Sequence, residues 1–428
     1  MIERPMTVIE RLLHSVYQVH QGDGLPVFAV RCSGPWEAER FRRALDAVQA
    51  RHPLLRSRIV ESKRYWPKFQ LVNDAPPIPL EIGDDASAGD WKHVALEQAR
   101  RTFDVGCAPL CRMAVLPSAE ADGFDLIAAF HHSIIDAISV LALLREIFTH
   151  MAGEPIAESP CHDELVFRPM KATTIWQRLR LISRLLWVQG RQLVQPSMLM
   201  TPDRNQPQGC VRIVWPKELT TNLVRRCRKE KTTVFGALAA LAMRTLAERE
   251  DWEQVSLQLQ VPFDIRQEYA TPVDRQTLGC FVGIMDFWHD HPLGRDFWHL
   301  ARRCRRDVEF EKNWRMPNCW DSLMSVIPFS PAFFKPFRKM SIGVNNLGRC
   351  EEIGIGPWRL EEFSWFGRAQ SLGASLYLNT ATINGRLNLT LQGAEASQET
   401  LQEIGDKLTS EMEFILQSRS FTSVSWAA

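Results

Sequence analysis

The sequence has almost no net charge. Its 428 residues carry 51 Lys and Arg against 50 Asp and Glu, a formal +1. A chain so balanced offers no electrostatic footprint for nucleic acid. The local run "RRCRKEK" (225–231) reads as a solvated helix face. Long apolar runs are also missing: the longest nearly uncharged helical stretch, "TTVFGALAALAM", falls well short of the roughly 20 apolar residues that a membrane span needs. The N-terminal "MIERPMTVIERLLHSVYQ" is charged throughout its first turns, without a signal-peptide apolar core. Ten cysteines are scattered with no CxxC pair, and no Cys/His cluster of zinc type accompanies them. The expectation is a soluble cytoplasmic chain with no transmembrane segment and with reduced, inert thiols.

What is present is ample material for a core. Hydrophobic residues make up 45% and charged residues 24%, and the length favours two domains or two fused lobes. In the first third, "VFAVRCSG" (27–34) reads as a strand and "WEAERFRRALDAVQARHPLL" (36–55) as an amphipathic helix stopped by Pro53. "RSRIVES" and "WPKFQLV" follow as a strand pair, then a helix over 90–103, then the strands "PLCRMAVLP" and "FDLIAAFHH". A helix over 136–153 ends on a glycine suited to a C-cap. The second half repeats this style, with strands at 210–216, 255–265, 281–288, 339–348, 371–385 and 386–393 and a closing helix. Asn384-Gly385 between the last two strands is the dipeptide of a type I′ hairpin turn. The predicted division is a lobe over 1–170, a crossover segment over 171–209 and a second lobe over 210–428. The crossover contains "TTIWQRLRLISRLLWVQGRQLV" (173–194), whose arginines flank Trp176, Leu179, Ile182, Leu186 and Trp187. A connecting helix and a membrane-surface helix both fit that pattern.

One stretch carries chemistry. "AAFHHSIIDAIS" (128–139) ends a strand-like run on His131-His132 and places Asp136 four residues beyond. Histidine is suited to taking and returning a proton near neutral pH. Successive strand side chains point to opposite faces, so one histidine should enter a cleft and the other be packed behind it. Asp136 either shares a helical face with His132 or turns away in a tight loop to hold a cation. A zinc site on these three residues lacks a further His or Cys partner.

"HHSIIDAIS" resembles the HHxxxDG signature of the CoA-dependent acyltransferase superfamily. That group includes chloramphenicol acetyltransferase, the condensation domains of nonribosomal peptide synthetases, plant BAHD acyltransferases and the polyketide-associated acyltransferases. Five further stretches agree in order: "RHPLLRSRI" (51–59), "FDVGCAPLCRMAVL" (103–116), "VPFDIRQ", "LGCFVG" (278–283) and "SIGVNNLG". The resemblance spans almost the whole chain. It implies an α/β (α+β) fold of two chloramphenicol-acetyltransferase-like lobes, each a mostly antiparallel sheet flanked by helices, with a channel between them. It also implies His132 as general base, His131 as a supporting residue and Asp136 as a structural residue paired with an arginine, Arg56 first and Arg266 second. Asn345 or Asn346 is either a donor to the tetrahedral oxyanion or a turn-forming pair before Gly348. Where the family carries glycine after the aspartate, this chain has Ala137. The DFGWG element of plant BAHD enzymes is absent, "WFGRAQ" (365–370) being no match, so that branch is set aside.

The function expected from this resemblance is acyl transfer in specialised metabolism. The donor is an acyl-CoA or a phosphopantetheine thioester on a separate acyl or peptidyl carrier protein, and the acceptor is a small-molecule alcohol or amine. No permanently bound cofactor or metal and a monomeric state are expected. The alternatives are a standalone amide-forming condensation enzyme and a noncatalytic two-lobed protein that recruits a carrier domain.

Overall fold

The computed structural model describes residues 2–61, 66–83, 90–118, 122–156, 165, 168–194, 209–249, 256–315, 318, 341–367, 376–393 and 396–418. The first half runs β1 (Glu3–Pro5), α1 (Val8–Val19), β2 (Pro26–Ser33), α2 (Ala38–Arg51), β3 (Ser57–Val60), β4 (Lys68–Leu71), β5 (Leu80–Ile82), α3 (Trp91–Arg100), β6 (Cys111–Pro117), β7 (Gly123–Phe130) and α4 (Ala137–Ala152). Helix α5 (Ile175–Val194) leads to the second half: β8 (Gly209–Trp215), α6 (Lys217–Lys229), α7 (Val234–Arg249), β9 (Ser256–Asp264), β10 (Val282–Asp290) and α8 (Phe297–Asn313). It closes with β11 (Ser341–Arg349), β12 (Gly354–Ile355), β13 (Trp358–Gly367), β14 (Leu376–Ile383), β15 (Arg386–Gly393) and α9 (Gln398–Gln417).

Local chemistry sets many of these boundaries. Thr7 and Glu10 form a reciprocal capping box at the start of α1. Asp136 caps α4, and Gly153, at φ 71°, ends it in the left-handed conformation that glycine adopts without strain. Asn384 and Gly385 both have positive φ, 48° and 77°, as a type I′ turn requires between β14 and β15.

Two six-stranded sheets result, one ordered β12-β13-β2-β7-β6-β5 and the other β10-β9-β11-β14-β15-β8, beside a small sheet β1-β4-β3. The first is antiparallel except where β5 joins β6, and the second is parallel only at β9/β11 and β11/β14. This is the mostly antiparallel, two-lobed fold expected. Strand β7 is buried along its whole length, covered on one face by α2 and α4 and on the other by α3. It therefore delivers the histidine pair on a rigid support. In the second lobe α7 is buried nearly all round, packed against α6, α8, α9 and the sheet.

The simple division of the chain at 170 and 210 needs one correction. Strands β12 and β13, from the stretch assigned to the second lobe, belong to the first sheet, with β13 antiparallel to β2. Trp358, Leu360, Phe363 and Trp365 all face inward, but a register shift between Leu360 and Glu362 interrupts their alternation. The bulge hides the period of two by which strands are recognised. Amide side chains of the second sheet then bind the β13 backbone. Asn379 Nδ2 donates to Trp365 O at 2.9 Å and Asn384 Nδ2 to Leu360 O at 2.8 Å, while Phe363 N donates to Asn388 Oδ1 at 3.2 Å and Gly367 N to Gln392 Oε1 at 3.0 Å.

Candidate active site

The strand that carries the motif stops at Phe130. His131 continues in extended conformation (φ −70°, ψ 124°) and a single 3-10 turn, His132–Ile134, follows before α4. The two histidines have different surroundings. His131 is fully buried, whereas His132 is partly exposed and lines a cavity of about 260 Å³ between the lobes.

Hydrogen bonds define the His132 tautomer. Its Nδ1 lies 3.1 Å from Ile135 O. A carbonyl only accepts, so Nδ1 carries the proton and Nε2 keeps its lone pair. Burial lowers the His132 pKa below that of ordinary imidazole, partly offset by the Ile135 carbonyl and the Asp136 charge. The ring is thus a neutral base at pH 7. Cys280 Sγ lies 4.0 Å from Nδ1, but burial raises its thiol pKa far above the ordinary value, which leaves it protonated and a poor nucleophile.

His131 sits behind the base in a chain of its own. Its Nδ1 accepts from Ser133 N at 3.3 Å, so Nε2 carries the proton, and that nitrogen lies 3.4 Å from His14 Nδ1. His14 Nε2 in turn lies 2.9 Å from Glu61 Oε1. One consistent set of tautomers runs from the motif to a half-exposed carboxylate. Burial lowers the pKa of both rings, His131 well below its ordinary value. Tyr17 packs on His131 with ring centroids 4.5 Å apart.

Asp136 turns away from the cavity base to lock the loop, and its partner is Arg266. Asp136 Oδ2 pairs with Arg266 Nη1 at 2.9 Å and accepts from Phe281 N at 2.9 Å. Its Oδ1 accepts from Arg266 Nη2 at 3.0 Å and from Ser139 N at 2.8 Å. Arg56, the first-ranked partner, instead ends a 3-10 turn, Pro53–Arg56, and its backbone carbonyl accepts from Val72 N. Burial alone would lower the Arg266 pKa, yet the charges of Asp136 and Asp264 overcome it and raise the value. Ser139, which sequence reasoning passed over, completes the knot: its Oγ accepts from Arg266 Nη2 at 2.9 Å and from Gly279 N at 3.1 Å, and donates to Gly279 O at 2.9 Å. Asp136 and Ser139 come from the first lobe and Arg266, Gly279 and Phe281 from the second, so this cluster joins the lobes directly behind the base.

Asn345 and Asn346 line the same cavity, together with the polar Gln260, Tyr377 and Asn379 and the apolar Phe28, Ile284 and Trp365. Asn346 Oδ1 accepts from Gly348 N at 2.8 Å, which turns the NH₂ end of that amide away from the turn. The replacement of the motif glycine by Ala137 is accommodated without strain. Ala137 is the first residue of α4 and has no positive φ, so its methyl group meets no conformational objection. Ala137→Gly is accordingly expected to cost under about 1 kcal/mol of stability, read as a small drop in thermal midpoint.

Two mostly antiparallel sheets, a cavity between them and a histidine loop beside a cross-lobe ion pair make up the site. The chain belongs to the Condensation domain family, whose model matches residues 26–313. A linear gramicidin synthase polypeptide of Brevibacillus parabrevis is 26% identical over 234 residues, a match covering 50% of this chain and 4% of that protein. The chain therefore spans only a small part of the length of that relative. TRI3 trichothecene 15-O-acetyltransferase from Fusarium sporotrichioides superposes with a TM-score of 0.75 at 10% identity, covering 96% of this chain and 95% of that one. The first condensation domain of the calcium-dependent antibiotic synthetase gives a TM-score of 0.72 at 12% identity, covering 97% and 96%. At such identities the likeness is one of fold.

Proposed function

We propose that the protein transfers an acyl group from a thioester to a hydroxyl or amine, with His132 as general base. The observation that carries this reading is the His132 tautomer: its proton is engaged by Ile135 O, and the basic nitrogen belongs to a side chain that lines the inter-lobe cavity. His132 Nε2 takes the proton from the acceptor O–H or N–H as that atom bonds to the thioester carbonyl carbon. The carbonyl π electrons move to oxygen, where the Asn346 amide is assigned to donate. Collapse of the tetrahedral adduct breaks the C–S bond, and the departing thiolate recovers the proton from His132. Holding donor and acceptor in one cavity supplies much of the remaining acceleration.

The donor is an acyl-CoA or a carrier-borne phosphopantetheine thioester, which present the same reacting group. The match to a nonribosomal peptide synthetase favours a second reading, amide formation between carrier-bound partners. Thiol release from free acyl-CoA and from carrier-loaded donors, each with alcohol and amine acceptors, separates the two. Acceptor-dependent release from free CoA supports the first reading, and release confined to loaded carriers supports the second. No release with any donor or acceptor would leave the noncatalytic, carrier-recruiting reading in place of both.

The pH profile follows from the lowered His132 pKa. The base works when neutral, so kcat/KM falls as pH drops through its folded-state pKa. That midpoint is expected below the ordinary imidazole value of about 6.5, and thiol release measured between about pH 4.5 and 8 locates it. A midpoint above the ordinary value would exclude this assignment.

A further inference from the structure

Helix α5 displays on one side what folded proteins ordinarily hide. Ile175, Trp176, Leu179, Ile182, Leu186 and Trp187 are 62, 72, 48, 44, 69 and 53% exposed, and their spacing puts them on a single helical stripe. The other side is docked: Leu181 is buried, and Arg180 and Arg184 pair with Glu311 of α8. Phe310 of α8, itself half exposed, continues the apolar patch beneath the Arg180 guanidinium, 4.5 Å from its ring centroid. In a chain whose charges balance, "IWQRLRLISRLLWVQGRQLV" contains four arginines and no acidic residue. At 100° per residue, Arg178 and Arg180 fall on opposite edges of the stripe.

We propose that α5 is a docking surface for an anionic lipid bilayer. The stripe enters the boundary between headgroups and acyl chains, Trp176 and Trp187 sit at the level that tryptophan prefers, and Arg178, at the edge of the stripe away from Glu311, meets a lipid phosphate. The helix lies on the membrane, being too polar to cross it. Charge complementarity selects this occupant over a second copy of the chain. Two such helices face to face would bring Arg178 against its own copy with no acidic residue on α5 to answer it, whereas an anionic leaflet attracts it.

The test is sedimentation of the full chain with vesicles of pure phosphatidylcholine and with vesicles containing about a quarter phosphatidylglycerol. The expected result is binding to the phosphatidylglycerol vesicles, about tenfold or more weaker on pure phosphatidylcholine, and reduced at high salt. Trp176→Ser is expected to weaken that binding about tenfold, with an unchanged circular-dichroism melt because this side chain is 72% exposed. Arg178→Glu should weaken binding to the phosphatidylglycerol vesicles alone. The proposal is overturned if the wild type stays in the supernatant, if the tryptophan variant binds as well as the wild type, or if phosphatidylcholine binds equally well. It is overturned too if sedimentation velocity shows a dimer that the tryptophan variant abolishes, since the stripe would then be a self-interface. This readout needs no substrate, so it stands or falls separately from the acyl-transfer reading.

Discussion

Arg266→Ala is expected to cost about 3–5 kcal/mol of folding stability. The loss of a surface ion pair would not do this; the burial does. Both Arg266 and Asp136 are almost inaccessible, and removal of the guanidinium leaves the Asp136 carboxylate desolvated, with Ser139 N and Phe281 N its remaining donors among the described residues. Ser139 Oγ loses a donor at the same time. Arg266→Lys should recover only part of the loss, because one ammonium cannot reproduce the two-nitrogen grip on both carboxylate oxygens. Arg56→Ala should cost much less. Urea unfolding of the three variants measures these differences, and an Arg266→Ala midpoint equal to that of the wild type would show that the cross-lobe pair does not hold the site.

His132→Ala is expected to lower turnover about 10²–10⁴-fold, the usual worth of a general base, while leaving the urea midpoint close to that of the wild type. The side chain lines a cavity and holds to the described residues through Nδ1, to Ile135 O at 3.1 Å with Cys280 Sγ at 4.0 Å, so its removal disturbs little packing. His131→Ala should show the reverse balance. It opens a hole in the buried chain from Ser133 to His14 and should depress stability first and rate through displacement of the neighbouring loop. Thiol release and urea unfolding on both variants distinguish base from support. Equal rates for His132→Ala and wild type would remove His132 from the chemistry.

The parts of this arrangement that were legible in the sequence are those set by local pattern. Strand β7, the turn after it and the capped helix α4 follow from an apolar run, a histidine pair and an aspartate before a periodic stretch. What stayed hidden depends on distant segments meeting. Nothing near Asp136 tells whether Arg56 or Arg266 reaches it, since the answer depends on how the turn after β9 approaches from the other lobe. Ser139 looks like an ordinary first-turn residue until Gly279 arrives beside it. His14 sits in the amphipathic helix α1, where a buried histidine has no sequence mark until its partners are known. Strand β13 was missed because of its bulge, and so was its membership of the first sheet.

That membership determines how the chain must be made. A fragment ending in the segment between the lobes would contain β2 but not its neighbour β13, and so would expose Val27, Phe28, Ala29 and Val30, all buried in the whole protein, along a raw sheet edge. Such an edge is an invitation to pair with another chain. The complementary fragment would carry β13 with no β2 to receive it, and the amides of Asn379, Asn388 and Gln392 would have gripped a strand of no fixed place. The lobes resemble two domains, but neither is a separable one: the first is finished only when residues 358–367 have been synthesised, long after its other strands have left the ribosome.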